Sequence, residues 1–450
     1  MCLLWVLLYL RFLFGERRDI MGSTKCIASI GELSRKDNSL CFKNEKKHIY
    51  IPVENVKEIY CFNEVSINSK LLDFLAQKNI IVHFFNYYGN YSGTFYPRKK
   101  YMSGKLLVKQ VEKFNTERLT VARAIVKGIG INIYEVLYHY YKHDKKEVKE
   151  VLDWIKTQFY SAINEVKSIP ELMAFEGDLW LRFYSTFKYF LPEDFVMNKR
   201  VKRPPDNPIN ALISFGNTLL YTKTISAIYR THLDQRISFL HEPSEGRFSL
   251  SLDISEVFKP AIVFKTIFDL VNNRKIKVEN HFERKVNYCI LNEEGRNIFL
   301  KAFQNRMEMV VQHPKLKKKT SYHSMIKIDC YKLIKFMMED KEFIPYSLKA
   351  GYWWMSKKIN YNYAFLFYDV NEKRVQKVFK ICKKYLSHFQ NSVFRGEITP
   401  SKLMKLKLEL QKVIVDEEDF VCIIKLMNDN VFGEDILGKK DIENGESLIL

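Results

Sequence analysis

The sequence predicts a multidomain α+β protein: an N-terminal β domain, an all-α domain and a C-terminal ferredoxin-like βαββαβ domain. Three observations carry this. Between Lys25 and Pro97, short β-branched or aromatic runs are separated by turn residues. Past Gly104 the apolar residues recur at the spacing of helices. From Asn362 onward strand-like and helix-like segments alternate in the order of a split βαβ unit. A chain of 450 residues is long enough for this number of domains.

Taken in order, residues 1–20 form an apolar extension, MCLLWVLLYLRFLF at its start. It is shorter than the roughly 20 apolar residues a bilayer span needs, so no stable membrane insertion is expected. It also lacks a signal peptide's basic start and small-residue cleavage site. The rival reading is an interfacial anchor. The β domain is expected over 21–103, from strands in TKCIASIG, SLCFKN, KHIYIPV, VKEIYCF and IIVHFFNYYG. Within it NSKLLDFLAQ (Asn68–Gln77) has helical periodicity, and YYGNYSGTFYP carries a Gly-Asn turn fit for a hairpin. The helical domain is expected over 104–343, from GKLLVKQVEKF to YKLIKFMM, and a linker over 344–361. The last domain, 362–450, begins with the strand NYAFLFYDV. A basic amphipathic helix from Glu372 to Phe389 comes next, then the strand SVFRGEI. Thr399-Pro400 makes a helix start, with Thr as cap and Pro in the first turn; the helix SKLMKLKLELQKVI and the strand DFVCIIKLM follow.

Lys and Arg number 72 against 52 Asp and Glu, a net charge of +20. Such a surplus attracts polyanions, above all nucleic acid or an anionic membrane surface, and does not choose between them. The eight cysteines form no C-x-x-C pair, which argues against a zinc ribbon and for free thiols in a reducing cytoplasm. There is no Walker A loop, no H-E-x-x-H and no G-x-S-x-G, so ATP hydrolysis, zincin and serine-hydrolase chemistry lose their usual signatures.

Three places in the helical domain offer chemistry. Glu176 stands in MAFEGDLWLRF, near an expected helix start, where a glutamate is also favoured by capping alone. His241 ends the apolar run ISFLH. Asp253 and Glu256, in SLDISEVFKP, are three apart and so share a helix face. One imidazole and several carboxylates from separate helices suit Mg²⁺ or Mn²⁺, and in a basic protein such a site suits phosphodiester chemistry. Basic residues cluster at Lys199, Arg200, Lys202 and Arg203 and again at Lys315, Lys317, Lys318 and Lys319. Arg247 and Lys259 flank the carboxylate pair. Of these, Arg200, Lys202, Arg203, Arg247, Lys259, Lys317, Lys318 and Lys319 are the candidate DNA contacts.

The strings GELSRKDNSLCF, VHFFNYYGNYSGTFYP, FEGDLW, RVKRPPDNPINALISFGNTLLY, FLHE and SLSLDISEVFKP, in this order, resemble the CRISPR-associated adaptation integrases (Cas one), near the type I-B branch. The resemblance spans Met21 to about Lys341. It implies a β domain, a helical domain and a homodimer, with metal ligands at Glu176, His241 and Glu256 and a supporting acid at Asp253. Two departures stand out: Trp180 where that branch has a basic residue, and THLDQRISF in place of a glycine-led turn. The stretch from Asn362 to Gly438, with YAFLFYDVNEKRVQKVFKICKKYL, QNSVFRGEIT and DFVCIIKLM, resembles the small partner of that system (Cas two), whose strand-end aspartate falls on Asp369, a candidate metal residue of its own. The implied assembly is a partner-domain dimer bridging two integrase dimers around DNA, and the implied reaction is integration of short duplexes as new spacers. A DNA-binding scaffold without catalysis, a metal-dependent nuclease on branched DNA or RNA, and a form tethered by Met1–Phe14 are the alternatives.

Overall fold

The computed structural model describes residues 23–45, 48–98, 102–202, 204–285, 288–312, 319–348, 363–398, 400–415 and 418–426. The N-terminal extension, Arg203, Lys315, Lys317, Lys318 and most of the expected linker lie outside these residues. The chain divides into two compact units, one through Tyr352 and one from Trp353.

The first unit opens with β1 (Ser23–Ile27), β2 (Gly31–Lys36), β3 (Ser39–Lys43), β4 (His48–Pro52), β5 (Val56–Cys61) and β6 (Val65–Ser66). Helix α1 (Ser69–Gln77), β7 (Ile81–Phe85) and β8 (Tyr91–Phe95) follow. They form two four-stranded sheets, ordered β1-β5-β7-β8 and β4-β3-β2-β6. The Asn68 side chain accepts from the Leu71 amide at 2.9 Å and starts α1 where the apolar period begins. Strand β5 is buried on both faces. Ile59 and Cys61 join Leu71, Phe74 and Leu75 in the core of this lobe, whereas Tyr60 and Phe62 on the opposite face belong to the core of the helical lobe. β7 and β8 make the expected hairpin, with Gly89 at φ 76° in its turn.

The helical lobe begins with α2 (Gly104–Lys142), one 39-residue helix broken by non-helical torsions at Glu117. Helices α3 (Lys149–Trp154) and α4 (Tyr160–Glu165) are joined by a π turn, and α5 (Ile169–Ser185) follows. Helix α6 (Pro208–Tyr229) is buried on almost every side, which is the placement its all-round apolar composition demands. Helix α7 (Ser249–Lys259) runs through a π turn at Pro260–Phe264 into α8 (Lys265–Asn272). Pro260 has no N–H to return along the helix, so the ladder widens there and does not stop. A short helix α9 (Val278–His281), strands β9 (Phe282–Lys285) and β10 (Tyr288–Leu291), and α10 (Glu293–Glu308) come next. Strands β11 (Val310–Gln312) and β12 (Lys319–Ser321) precede α11 (Tyr322–Glu339). The expectation of an all-α lobe is thus corrected by two short hairpins, β9–β10 and β11–β12, too short to leave a period in the sequence.

The expected linker start at 344 is corrected as well. Phe343, Tyr346 and Leu348 are buried, Tyr346 stacks on Phe258 of α7 at 4.8 Å, and the Leu348 amide donates to the buried Asn132 of α2 at 2.6 Å.

The second unit is β13 (Tyr363–Asp369), α12 (Glu372–Lys383), β14 (Ser387–Gln390), β15 (Val393–Glu397), α13 (Pro400–Gln411) and β16 (Phe420–Leu426). Its sheet order, β14-β15-β13-β16 with every pair antiparallel, is the ferredoxin-like arrangement. The basic helix ends at Lys383, not Phe389, because Ser387–Gln390 pairs with β15 as the edge strand. Leu366, Val378, Phe394 and Leu406 fill the space between sheet and helices.

Candidate active site

Helices α5 and α7 and the loop before α7 bring the candidate residues together. Helix α7 lies against both α2 and α6, and α5 lies against α2. Glu176 is the eighth residue of α5, so it is interior to the helix and not a cap as its sequence context allowed. Asp253 and Glu256 are both buried on α7, with Glu256 5% exposed.

Asp253 is not a free ligand. One carboxylate oxygen accepts the Phe239 and Leu240 amides at 2.6 and 2.9 Å; the other accepts the His241 amide and His241 Nδ1, each at 2.9 Å. A carboxylate here only accepts, so Nδ1 carries the proton and the neutral ring keeps its lone pair on Nε2. This is the carboxylate–imidazole arrangement that orients histidines toward cations. Burial lowers the affinity of the His241 ring for a proton, but the Asp253 hydrogen bond and the Asp253 and Glu256 charges outweigh it, and its pKa ends above the usual value.

The carboxyl of Glu176 is pushed up to about 7, first by burial and then by the nearby charge of Glu256, against the pull of Lys259, Trp180 and His241. A carboxyl whose ionisation is made costly by burial and a neighbouring carboxylate marks a place where a cation is favoured. Both are engaged. The Trp180 indole donates to Glu176 at 2.5 Å, and the Lys259 ammonium pairs with one oxygen of Glu256. The other oxygen, Oε2, is buried without a hydrogen-bond partner. Among the described residues no group of three or more His, Cys, Asp or Glu side chains is arranged to hold a metal ion. The donor set nevertheless fits a hard divalent cation: an imidazole nitrogen held in one tautomer, an orphaned carboxylate oxygen and a second carboxylate with its charge suppressed.

Several residues that build this site left no signal in the sequence. Arg118, one residue past the break in α2, donates to the Phe239 carbonyl at 2.9 Å and to Glu242 at 2.7 Å. Ser238 donates to the His241 carbonyl at 2.7 Å. Gln110, fully buried, grips the Asp234 and Ile237 carbonyls at 2.9 Å each, fixing the THLDQRISF loop that lacks the glycine turn. Asn132 donates to the Val257 carbonyl at 2.7 Å, beside Glu256. A buried amide or guanidinium inside a helical pattern reads as surface polarity until its partners are seen.

The expected phosphate contacts divide. Arg200 points inward, to the Asn210 side chain and the Ser214 hydroxyl at 2.9 Å each, so it is a strut and not an open contact; this corrects its assignment. Lys202, Arg247 and Lys319 are exposed. Lys259 is half-buried on Glu256. Asp369 is exposed at the end of β13, opposite Phe420.

A β lobe on a helical lobe, with an Asp-oriented histidine in the electrostatic reach of the half-buried Glu176 and the buried Glu256, followed by a ferredoxin-like unit, defines a two-unit protein built like the integrase-and-partner pair its motifs resemble. The family model described as CRISPR associated protein Cas1 matches residues 26–305, and that described as CRISPR associated protein Cas2 matches residues 362–433. The chain belongs to the Cas1 family and carries a Cas2 domain after the Cas1 domain. It is 44% identical over 323 residues to a CRISPR-associated endonuclease Cas1 of Thermodesulfovibrio yellowstonii, covering 71% of this chain and 97% of the relative. It is 41% identical over 329 residues to the CRISPR-associated endonuclease Cas1 of Fusobacterium nucleatum, covering 72% and 95%. The structure of a Cas1 protein from Thermotoga maritima superposes with a TM-score of 0.64 at 40% identity, over 71% of this chain and 98% of that one.

Proposed function

We propose that this protein acts in CRISPR adaptation, capturing short DNA duplexes and joining them into a CRISPR array as new spacers. The observation that supports the reading is the Asp253–His241 pair within electrostatic reach of Glu176 and Glu256, in a Cas1-family chain that continues into a Cas2 domain. The naming of its relatives as endonucleases and the net charge of +20 support a nucleic-acid substrate.

Glu176, His241 and Glu256 would hold Mg²⁺ or Mn²⁺, which supplies Lewis-acid polarisation of a phosphodiester and stabilises developing charge. The remaining work falls to the chain. Asp253 holds a proton on Nδ1 of His241 and so fixes the direction in which Nε2 points. Lys259, already cationic beside Glu256, is placed to neutralise a non-bridging phosphate oxygen. Lys202 and Arg247 meet the backbone on either side. The reaction is a transesterification: a DNA 3′-hydroxyl attacks a phosphorus at the repeat edge, one P–O bond forms as another breaks, and the departing 3′-oxygen takes up a proton. The number of phosphodiesters is unchanged, so no nucleotide triphosphate is consumed. The Cas1 part forms a homodimer in this reading, and a dimer of Cas2 domains bridges two such pairs. We place the protein in the cytoplasm, in keeping with the free state of all seven described cysteines. Among the described residues no helix is long and apolar enough to cross a membrane.

The test is strand transfer in vitro, with labelled duplex, supercoiled plasmid bearing a repeat, and Mg²⁺ or Mn²⁺ against EDTA. Joined products that vanish with EDTA, Glu176→Ala or His241→Ala are expected. Joined products that persist in both variants would remove the site from the reaction, and cleavage without joining would leave a nuclease.

A further inference from the structure

The C-terminal end of α2 carries a pair of nitrogen donors that the proposed reaction does not use. His139 lies in the last turn of the helix, and His143 is the residue that closes it, with φ −105° and ψ 43°. Both side chains are exposed. Their ring centroids stand 4.4 Å apart, with planes at 44°. His143 Nδ1 lies 2.7 Å from the His139 carbonyl, which can only accept, so Nδ1 carries the proton and Nε2 keeps its lone pair. Partial burial, and after it the neighbouring His143 and Lys265, lower the proton affinity of His139, which leaves its ring neutral at pH 7.

The backbone between the two histidines is held before anything binds. Tyr140 stacks on Phe190 at 4.0 Å and meets Phe268 of α8 edge-on at 5.8 Å. The Tyr140 carbonyl accepts the His143 and Lys145 amides at 3.0 and 3.2 Å, which closes the helix end. The charges around the pair are mixed. The Lys142 ammonium lies over the Tyr138 ring and that of Lys146 over the Tyr141 ring, each at 4.5 Å. Lys265 and Asp269 of α8 act on His139 with opposite sign, and Asp269 is itself paired with Arg306. The carbonyl end of a helix adds a partial negative charge that favours a cation.

We propose that His139 and His143 bind one Zn²⁺ through their two imidazoles, with water completing its coordination, at a site separate from Glu176, His241 and Glu256. Zinc–imidazole bonds of about 2.0–2.1 Å at a tetrahedral angle put two ring centres about 5 Å apart. The observed 4.4 Å is a small side-chain rotation away from that. Imidazole donors suit Zn²⁺, whereas Mg²⁺ and Mn²⁺ prefer the oxygen-rich set beside His241. The hydrogen bond from His143 Nδ1 to a backbone carbonyl is the outer support that zinc-binding histidines use. Two protein ligands make an exchangeable site and not a closed structural one. The ion would join the last helical turn to the residue that ends it, and so fasten the end of α2 where the chain turns toward α3. None of this depends on the adaptation reading above.

The full chain, stripped with EDTA and dialysed, is titrated with Zn²⁺ by calorimetry. The parent is compared with His139→Ala, His143→Ala, the His139→Ala/His143→Ala double variant and His241→Ala. Both side chains are exposed, and His139→Ala leaves the bond from His143 to the backbone carbonyl in place; a thermal melt checks that each variant folds. The parent should bind one more equivalent of Zn²⁺ than the double variant, and His241→Ala should keep that equivalent. Either single variant should weaken it about a hundredfold, because one of two linked donors is gone. An excess of Mg²⁺ should not displace it. Equal zinc stoichiometry and affinity in parent and double variant overturn the site. Loss of the same equivalent in His241→Ala assigns it to the carboxylate site and overturns it too, as does a single variant that binds as the parent does. These counts use no DNA, so they decide the zinc site whether or not strand transfer is found.

Discussion

Replacing Asp253 by Asn should damage this protein more than removing His241, although His241 is the residue closer to the chemistry. Asp253 is fully buried, and its two oxygens each accept two N–H groups. An asparagine of the same shape turns one oxygen into an NH₂. Toward Phe239 and Leu240 that NH₂ orphans two buried N–H groups; toward His241 it orphans the amide and meets Nδ1 only if the ring moves its proton to Nε2, and in both orientations all four bonds lose their charge assistance. Two such bonds at about 1.5–3 kcal/mol each amount to about 3–6 kcal/mol. His241→Ala removes one of the four and leaves Asp253 its three backbone donors, a cost of about 1–2 kcal/mol. Urea denaturation of the full chain, followed by circular dichroism, measures both. The same Asn frees the imidazole to turn, and affinity for Mn²⁺ should drop about 10–100-fold by calorimetry. The reasoning is refuted if Asp253→Asn lies within about 0.5 kcal/mol of the parent, or if His241→Ala costs as much.

Three further perturbations have definite expected outcomes. Lys259→Ala leaves the buried Glu256 without its ammonium, so the metal-free protein should melt earlier while Mn²⁺ raises its melting temperature more than it raises the parent's; equal Mn²⁺ shifts would show that Lys259 and a cation do not compete. Burial lowers the pKa of His83 to about 3 and of His323 to about 4, while their unfolded rings protonate near 6.5. The unfolded chain therefore binds more protons throughout that window. Stability should be full above pH 6.5 and decline as pH falls toward 4, with a shallower slope in His83→Gln; an unchanged slope in that variant would remove His83 from the acid sensitivity. Gly216→Ala puts a β-carbon 2.6 Å from a Val263 methyl and 3.0 Å from the Phe299 ring, where α6 meets the π turn and α10, and should cost about 1–3 kcal/mol by denaturant melt. An alanine variant as stable as the parent would mean that this contact relaxes freely.

Much of the architecture was legible because periodicity follows burial. Most strands of the β lobe and the run of α6 read correctly, while Gly31–Lys36 and Val65–Ser66, polar or very short, did not register as strands. What escaped was set by partners distant in the chain. The kink at Glu117, where two helical segments of 104–142 meet, left no mark in the apolar period. Strand β14 was absorbed into the preceding helix because Ser387–Gln390 gains its identity only from pairing with β15. The segment 344–348 looked like linker because Tyr346 and Leu348 are polar-flanked in sequence, and only Asn132 and Phe258 reveal them as part of the core.

The candidate site shows the same division in sharper form. Glu176, His241 and Glu256 were reachable through motifs, and the structure brings them close enough to perturb one another's charge. Arg200 was not reachable. A run of basic residues before two prolines reads as phosphate-seeking, and Lys202 keeps that reading because it is exposed. Arg200 loses it because Asn210 and Ser214 stand three and seven residues into the helix interval from Asn207, on the face that turns back toward it. Its charge is spent on holding the loop to α6, and so on fixing where Lys202 emerges. Charge counted from sequence therefore overstates the cations available to DNA and understates those that aim the rest. The distinction lies in whether an acceptor faces the guanidinium, which is a property of the fold alone.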